Sequence, residues 1–153
     1  HINLKLVREN KMPSNKISIV SGGFDPLHVG HIELFNRARE LSDALFVILN
    51  TDAFLFEKKS RVFMPFSERK IMVESIKGVD LVVRCIDGDN TVCKTLEKLS
   101  SLIEAVDAQL LFCNGGDRTD GENTPEHKIC EKLNIETVYG LGDKIQSSSW
   151  LTK

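Results

Sequence analysis

The segment Ile17–His31, ISIVSGGFDPLHVGH, joins two kinds of hydrophobic periodicity through a glycine turn. Its β-branched start favours a buried strand. Beyond the segment, apolar residues recur at helical spacing, at Ile32, Leu34, Phe35, Ala38 and Leu41. Gly22 and Gly23 lie between the two patterns, and paired glycines are typical of a tight turn. The segment therefore predicts a strand, a turn and a helix in succession.

The predicted turn lies at the N-terminus of a helix, where unpaired N–H groups and the helix dipole attract phosphate. The paired glycines would let such a ligand approach the backbone closely. Asp25 is expected as the N-cap and Pro26 as the first helical residue, a position that proline prefers. His28 and His31 would then lie one turn apart on the same face of the helix. We expect both imidazoles to point toward one anion.

Composition bounds the class of protein. The chain has 153 residues, of which 41% are hydrophobic and 27% charged, and this is enough to bury the core of one globular domain. We divide it into an N-terminal extension, residues 1–16, and a single domain over residues 17–153. The formal net charge of −2 and the shortness of the basic clusters argue against a nucleic-acid partner.

Cysteine usage and hydropathy bear on the compartment. The four cysteines form no CxxC pair, so we expect reduced and buried thiols. We find no signal peptide and no apolar run long enough to cross a bilayer. These features favour a cytoplasmic protein with no membrane partner.

Strand and helix patterns alternate along the chain. Further strands are predicted at Ala44–Leu49, Val79–Val83, Gln109–Cys113 and Glu136–Tyr139. Helices are predicted at Glu68–Ile76 with Ser67 as N-cap, at Thr91–Val106, and from Pro125 to Leu133 with Thr124 as N-cap. We expect residues 51–65 to form a loop over a site and residues 147–149 to cap a short last helix. This alternation predicts the α/β class, a Rossmann-like doubly wound, five-stranded parallel sheet with helices on both faces and ligands beyond the strand C-termini.

The sequence His28-Val-Gly-His31, preceded by Gly-Gly-Phe-Asp-Pro, resembles the HxGH signature of the cytidylyltransferase-like nucleotidylyltransferases. The resemblance implies that the two histidines stabilise charge at the α-phosphate of a nucleoside triphosphate. A phosphate monoester would attack that phosphorus, and pyrophosphate would leave. It also implies a Mg²⁺ ion carried with the triphosphate and a homodimer, whereas no carboxylate cluster in the sequence predicts a metal held by the protein.

Two later segments extend the resemblance. Asn114-Gly-Gly-Asp117 is similar to the family's strand-end turn beside the nucleotide, and residues 144–149, KIQSSS, to its terminal hydroxyl-rich motif. Lys58, Glu68 and Arg69 match positions in glycerol-3-phosphate cytidylyltransferases. The resemblance thus implies three groups of site residues. They are the catalytic residues His28, His31 and Lys58; the nucleotide-binding residues Gly22, Gly23, Phe24, Asp117, Lys144, Ser147, Ser148 and Ser149; and the substrate-binding residues Asp25 and Arg69.

The predicted activity moves a nucleoside monophosphate from a triphosphate, CTP in preference to ATP, to a small phosphate monoester such as glycerol 3-phosphate or a sugar phosphate. Two alternatives stay open: an adenylyltransferase of the heptose-phosphate type, and a nucleotide-binding module without catalysis. The family's Arg-Thr-x-Gly-Ile is replaced here by residues 142–146, GDKIQ, which leaves the base and the acceptor undetermined. Individual residues also have structural readings: the His pair as half of a zinc site, Asp25 as a cap, Asp117 as a strand-end turn, and Lys58 and Arg61 as solvated side chains.

Overall fold

A five-stranded parallel sheet forms the centre of the molecule, in the strand order β3-β2-β1-β4-β5. The computed structural model describes residues 15–116 and 118–141. The strands are β1 (Lys16–Gly22), β2 (Ala44–Leu49), β3 (Leu81–Arg84), β4 (Gln109–Cys113) and β5 (Glu136–Val138). The order reverses beside β1, between β1 and β4, which is where doubly wound sheets bind their ligands.

Helices connect successive strands. They are α1 (Val29–Glu40), α2 (Asp52–Lys59), α3 (Phe66–Glu74), α4 (Cys93–Ile103), the four-residue α5 (Arg118–Gly121) and α6 (Pro125–Leu133). A 3₁₀ turn, Glu104–Val106, continues α4. The α/β class and the doubly wound sheet predicted from the alternation are confirmed.

The two faces of the sheet bury separate apolar clusters, because successive strand residues point to opposite sides. Ile17 and Ile19 of β1 pack in one cluster with side chains of α4 and α6. Val20 packs in the other with Phe35 and Ala38 of α1. Helices therefore cover both faces, as expected.

Several predicted bounds agree with the structure, and others are wrong for local reasons. The bounds of β2, β4 and α6 are confirmed, including the Thr124 cap, whose Oγ1 accepts from the His127 N–H at 3.2 Å. Residues 51–65, expected as a loop, contain α2. Its start is capped by Thr51, whose Oγ1 accepts from the Phe54 N–H at 3.1 Å, and it buries Phe54 and Leu55. The mixture of charged and apolar residues in this segment reflects an amphipathic helix, one face of which packs against the protein.

Two predicted caps are wrong. The residue that precedes α3 is Pro65, and Ser67 lies within that helix. Asp25 does not cap α1, because that helix begins at Val29 with His28 as its N-cap. Residues 1–14 and the expected last helix after residues 147–149 lie outside the described residues, so the division at residue 16 stays a prediction.

The described cysteines carry free thiols. Cys85, Cys113 and Cys130 are buried and Cys93 is half-buried. Burial raises the pKa of the Cys113 thiol to about 11 and that of Cys130 to about 12. Within residues 15–116 and 118–141, no helix has the length and apolar character that crossing a bilayer requires.

Candidate active site

Two histidines close the N-terminus of α1. His28 is in extended conformation as the N-cap, and its Nδ1 accepts a hydrogen bond from the Gly30 N–H at 3.1 Å. The reciprocal bond is made by His31, whose Nδ1 accepts from the His28 N–H at 3.1 Å. The pair satisfies two of the N–H groups that a helix start leaves open, in the manner of a capping box.

This capping arrangement selects a tautomer. A neutral imidazole has one N–H and one acceptor nitrogen, and both Nδ1 atoms are used as acceptors. The proton of each neutral ring therefore lies on Nε2. The two rings stack with their centroids 3.7 Å apart and their planes at 24°. Both Nε2–H groups face away from the amides that hold the rings, so they can donate to one ligand.

Phe24 packs against the ring of His31 on the protein side of the histidine pair. Its backbone has φ 50°, in the left-handed region that few non-glycine residues adopt, and its buried ring lies edge-on to His31 at 4.9 Å and to Phe35 at 5.0 Å. Burial, with a smaller contribution from His28, lowers the pKa of His31 to about 4. At neutral pH His31 is therefore uncharged, and its single N–H is on Nε2.

Asp25 lies between the histidine turn and the segment that joins α2 to α3. Its side chain is buried and accepts from the Phe63 N–H at 2.7 Å and from the Met64 N–H at 2.6 Å. Lys59 Nζ donates to the Asp25 carbonyl oxygen at 2.9 Å and lies 3.7 Å from its carboxylate. The described contacts of Asp25 are thus within the protein, and a substrate contact by this residue stays a prediction.

Arg69 is the largest fully buried side chain of the described residues. Its guanidinium donates to the carbonyl oxygens of Gly23 at 2.9 Å, Asn50 at 2.8 Å and Met64 at 2.8 Å, and pairs with Asp52 at 2.6 Å. It thereby connects the ends of β1 and β2 to the start of α2 and to the segment before α3. These contacts support a positioning role, while direct contact with a substrate stays a prediction.

The last turn of α2 carries cations beside the histidine turn. An open groove of about 700 Å³ is lined by Asp25, Pro26, Lys59, Ser60, Arg61 and Phe63. Lys59 and Arg61 bring positive charge to it. Lys58, the residue singled out from the sequence, is exposed and has no hydrogen bond or ion pair to the described part of the chain. Its neighbour Lys59 lines the groove, and the catalytic role of Lys58 stays a prediction.

The two glycines after β1 allow close packing within the protein. A Cβ at Gly22 would lie 2.9 Å from the ring of Phe24, and one at Gly23 would overlap the side chain of Leu55. Both positions therefore require glycine for the turn to sit against Phe24 and α2. Their expected contact with a nucleotide stays a prediction.

A second, smaller cavity lies on the other side of β1, over the ends of β4 and β5. Its volume is about 260 Å³. It is lined by Ser21, Phe112, Asn114, Gly115, Gly116, Gly121, Thr124, Glu126, His127 and Tyr139. The turn after β4 therefore lies close to the end of β1. Sequence reasoning missed His127 and Tyr139, which carry no motif and meet through the fold.

Five predicted site residues lie outside the part of the chain that the structure describes. They are Asp117, Lys144, Ser147, Ser148 and Ser149. Within the described ranges, no three or more histidine, cysteine or acidic side chains cluster in a way that could hold a metal ion. Residues 15–116 and 118–141 thus do not themselves fit a resident metal, and Mg²⁺ stays a prediction.

Comparison with known proteins agrees with this architecture. Glycerol-3-phosphate cytidylyltransferase of Staphylococcus aureus is 49% identical over 65 residues, which cover 42% of this chain and 49% of that protein. The bifunctional protein HldE of Helicobacter hepaticus is 30% identical over 131 residues, or 84% of this chain and 25% of that protein. The chain therefore spans half or less of the length of these relatives.

Among solved structures, the lipopolysaccharide core biosynthesis protein of Thermoplasma volcanium superposes with a TM-score of 0.59 over 80% of this chain and 93% of that chain. Its sequence identity of 20% makes this a likeness of fold. The family model described as cytidylyltransferase-like matches residues 19–135, which include the histidine turn, the cationic groove and most of the smaller cavity. The chain belongs to the cytidylyltransferase-like family.

Proposed function

We propose that this chain transfers a nucleotidyl group from a nucleoside triphosphate, CTP in preference to ATP, to a small phosphate monoester such as glycerol 3-phosphate or a sugar phosphate. The observation that carries the proposal is the capped histidine pair. Two stacked imidazoles with outward Nε2–H groups supply paired donors at a helix N-terminus, where phosphate binds well. Membership of the cytidylyltransferase-like family supports the same reaction.

In the proposed reaction, an oxygen of the acceptor phosphate attacks the α-phosphorus in line. One P–O bond forms there, the bond from the α-phosphorus to the bridging oxygen breaks, and pyrophosphate leaves with that electron pair. His28 and His31 donate hydrogen bonds to oxygens of the α-phosphoryl group and stabilise the charge that develops. Because His31 is neutral, its Nε2–H would donate a hydrogen bond without adding a positive charge.

The cationic groove would hold the acceptor phosphate. Lys59 and Arg61 line it, and Lys58 precedes them on the exposed side of α2. Asp25 and Arg69 would act through the backbone they hold, because they fix the segment before α3 that forms one wall. Catalysis would then depend on positioning and charge stabilisation, with no covalent enzyme intermediate.

Further elements of the proposal follow from the family resemblance. Mg²⁺ would enter with the triphosphate, as is usual for an ion that retains water and is bound largely by substrate phosphates. When bound, it would neutralise phosphate charge. The proposal also includes a homodimer and a cytoplasmic location.

The test is pyrophosphate release by the purified chain, with Mg²⁺, for CTP and ATP in combination with glycerol 3-phosphate and a panel of sugar phosphates. A His28→Asn, His31→Asn double variant is the control, since asparagine oxygens can replace both capping acceptors but not the Nε2–H donors. We expect turnover for at least one pair and none for the double variant. A folded wild type that is silent with every pair would reject catalysis and favour the nucleotide-binding module.

A second candidate is an adenylyltransferase for heptose phosphates. The alignment with HldE favours it, because this alignment covers 84% of the chain, whereas that with the glycerol-3-phosphate enzyme covers 42%. In the same assay, the adenylyltransferase would use ATP with a heptose phosphate and leave CTP with glycerol 3-phosphate unreacted.

A further inference from the structure

One aromatic side chain of the cationic groove is left open to solvent. Phe63 lines this groove and is 69% exposed. A phenylalanine side chain has much to gain from burial, so an exposed ring is most informative where it lies in a concave site. Within residues 15–116 and 118–141, neither an aromatic ring nor a cation stacks on the ring of Phe63. The faces of this ring are therefore available to a ligand.

The backbone that carries Phe63 is held by two buried side chains. The Asp25 carboxylate accepts from the Phe63 N–H at 2.7 Å and from the Met64 N–H at 2.6 Å. Arg69 Nε donates to the Met64 carbonyl oxygen at 2.8 Å. An aromatic side chain on a preorganised backbone loses little conformational entropy when a ligand binds. The fold thus holds Phe63 at the wall of the groove.

The rest of the groove is polar and positively charged. Lys59 Nζ is partly engaged by Asp25, whereas Arg61 makes no hydrogen bond or ion pair to the part of the chain that the structure describes. A guanidinium group can donate to two phosphate oxygens at once. Ser60 adds a hydroxyl, which can both donate and accept. The groove therefore combines a binding group for phosphate, a partner for hydroxyl groups and an aromatic wall.

The size of the groove bears on the acceptor. Its volume of about 700 Å³ is within the range of about 300–1,000 Å³ of pockets that enclose a drug-sized ligand. A three-carbon phosphate would leave much of this space, and the Phe63 ring, in contact with water. A larger acceptor with an apolar face would cover the ring.

We propose that the acceptor is the phosphate monoester of a cyclic sugar, that Arg61 binds its phosphate, and that Phe63 selects it by stacking on the sugar ring. The face of an aromatic ring is electronegative, and the C–H groups of a sugar carry partial positive charge because each carbon bears an oxygen. A closed ring presents several such C–H groups on one face, whereas glycerol 3-phosphate has no fixed face. This inference deepens the proposed function and rests on it, because it takes the groove as the acceptor site.

The experiment measures equilibrium binding by calorimetry in the presence of α,β-methylene-CTP or α,β-methylene-ATP, which cannot release pyrophosphate. The ligands are the 1-phosphates of glucose, mannose and a heptose, which are locked in the cyclic form, together with glycerol 3-phosphate, inorganic phosphate and nicotinate mononucleotide. We expect at least one sugar 1-phosphate to bind about tenfold or more tightly than glycerol 3-phosphate, the gain typical of one well-placed aromatic contact.

Substitutions separate stacking from charge. Phe63→Leu should weaken binding of the preferred sugar phosphate by about 5-fold to 10-fold and leave glycerol 3-phosphate and inorganic phosphate within about twofold. Phe63→Trp should retain the preference. Arg61→Gln should weaken every phosphate by a similar factor. Phe56→Leu is the matched control, since Phe56 is 63% exposed on α2 but does not line the groove, and it should bind like the wild type.

Three results would overturn the inference. They are sugar phosphates that all bind within about twofold of glycerol 3-phosphate, a folded Phe63→Leu that retains the wild-type preference, and tighter binding of nicotinate mononucleotide, whose ring is aromatic, than of every sugar phosphate. Turnover of glycerol 3-phosphate with no preference for sugars would uphold the proposed function and reject this inference. A preference for a sugar phosphate that depends on Phe63, without pyrophosphate release, would uphold the inference and reject the proposed catalysis.

Discussion

The imidazoles of His28 and His31 stack at 3.7 Å while each accepts a backbone N–H through Nδ1. One pair of residues therefore has two roles. The Nδ1 atoms cap the N-terminus of α1, and the Nε2–H groups are hydrogen-bond donors on the other side of the rings. Substitutions that keep the first role and remove the second can separate structure from chemistry.

His28→Asn should retain the cap and lose the donor. Asparagine is among the best N-cap residues, whereas alanine there costs about 1 kcal/mol of unfolding free energy. We expect both His28→Asn and His28→Ala to lower kcat by about 10²-fold to 10³-fold, the loss typical of one oxyanion-stabilising donor. Only the alanine variant should also lower stability in urea titrations. Wild-type turnover in His28→Asn would contradict the assigned role.

The lowered pKa of His31 makes stability depend on pH. In the unfolded chain this group takes up a proton near pH 6.5, whereas in the folded chain it does so near pH 4. Between these values the unfolded state binds more protons, so the unfolding free energy should fall as the pH falls from 6.5 to 4. NMR titration of the ring should show the midpoint near 4, and His31→Asn should remove this part of the pH dependence. A midpoint near 6.5 would contradict the burial of this ring.

Asp25→Asn should loosen the segment before α3. The carboxylate accepts from both the Phe63 and Met64 N–H groups, and an amide offers one oxygen in place of two. Loss of one buried bond costs about 1–2 kcal/mol, which corresponds to about tenfold faster amide exchange at these positions. Hydrogen exchange with NMR detection measures the exchange rates of the Phe63 and Met64 amides. Glu57→Gln, an exposed change of equal charge on α2, is the control and should leave both rates unaltered.

Arg69→Lys should be strongly destabilising although it keeps the charge. The guanidinium donates to three carbonyl oxygens and one carboxylate, and an ammonium group cannot reproduce this planar arrangement. Leaving two or more of these acceptors without donors should cost about 3 kcal/mol or more in chemical denaturation. Arg61→Lys, at an exposed position of the groove, should change stability by less than about 0.5 kcal/mol. Equal effects of the two variants would contradict the positioning role.

Substitution of Lys58 and of Lys59 should have different effects on activity and on local stability. Lys58 is exposed, so Lys58→Met should leave the unfolding free energy within about 0.5 kcal/mol of the wild type. Because we propose a phosphate contact for Lys58, we expect kcat/KM to fall by about tenfold or more. Lys59→Met removes a bond to the Asp25 carbonyl and should also speed amide exchange of Phe63 and Met64. Denaturation and steady-state kinetics of the two variants distinguish these roles.

Local signals predicted the fold well where one physical cause dominated. The apolar run of β2 and the Thr124-Pro125 start of α6 have no competing interpretation, and both bounds are confirmed. The predicted start of α1 was wrong because Asp25 and Pro26 fit the general preferences for an N-cap and a first helical residue. In the structure Asp25 instead pairs with N–H groups 38 and 39 residues away, a contact that local sequence does not encode.

In the candidate site, too, local features were predicted and long-range contacts were not. The histidine pair was predicted from adjacent residues and lies together as expected, although through reciprocal capping rather than along one helical face. The buried contacts of Arg69 and the meeting of His127 with Tyr139 depend on strands and turns brought together by the sheet. Such long-range arrangements cannot be read from spacing alone.

The connections made by Arg69 have a consequence for how the molecule can open. Because one side chain joins the ends of two central strands to both the helix and the segment that wall the groove, these parts cannot loosen one at a time without breaking its bonds. Thermal or mechanical opening of the groove should therefore be all-or-none. The groove and its walls would behave as one cooperative unit that is lost together with the strand ends, not as an independent flap.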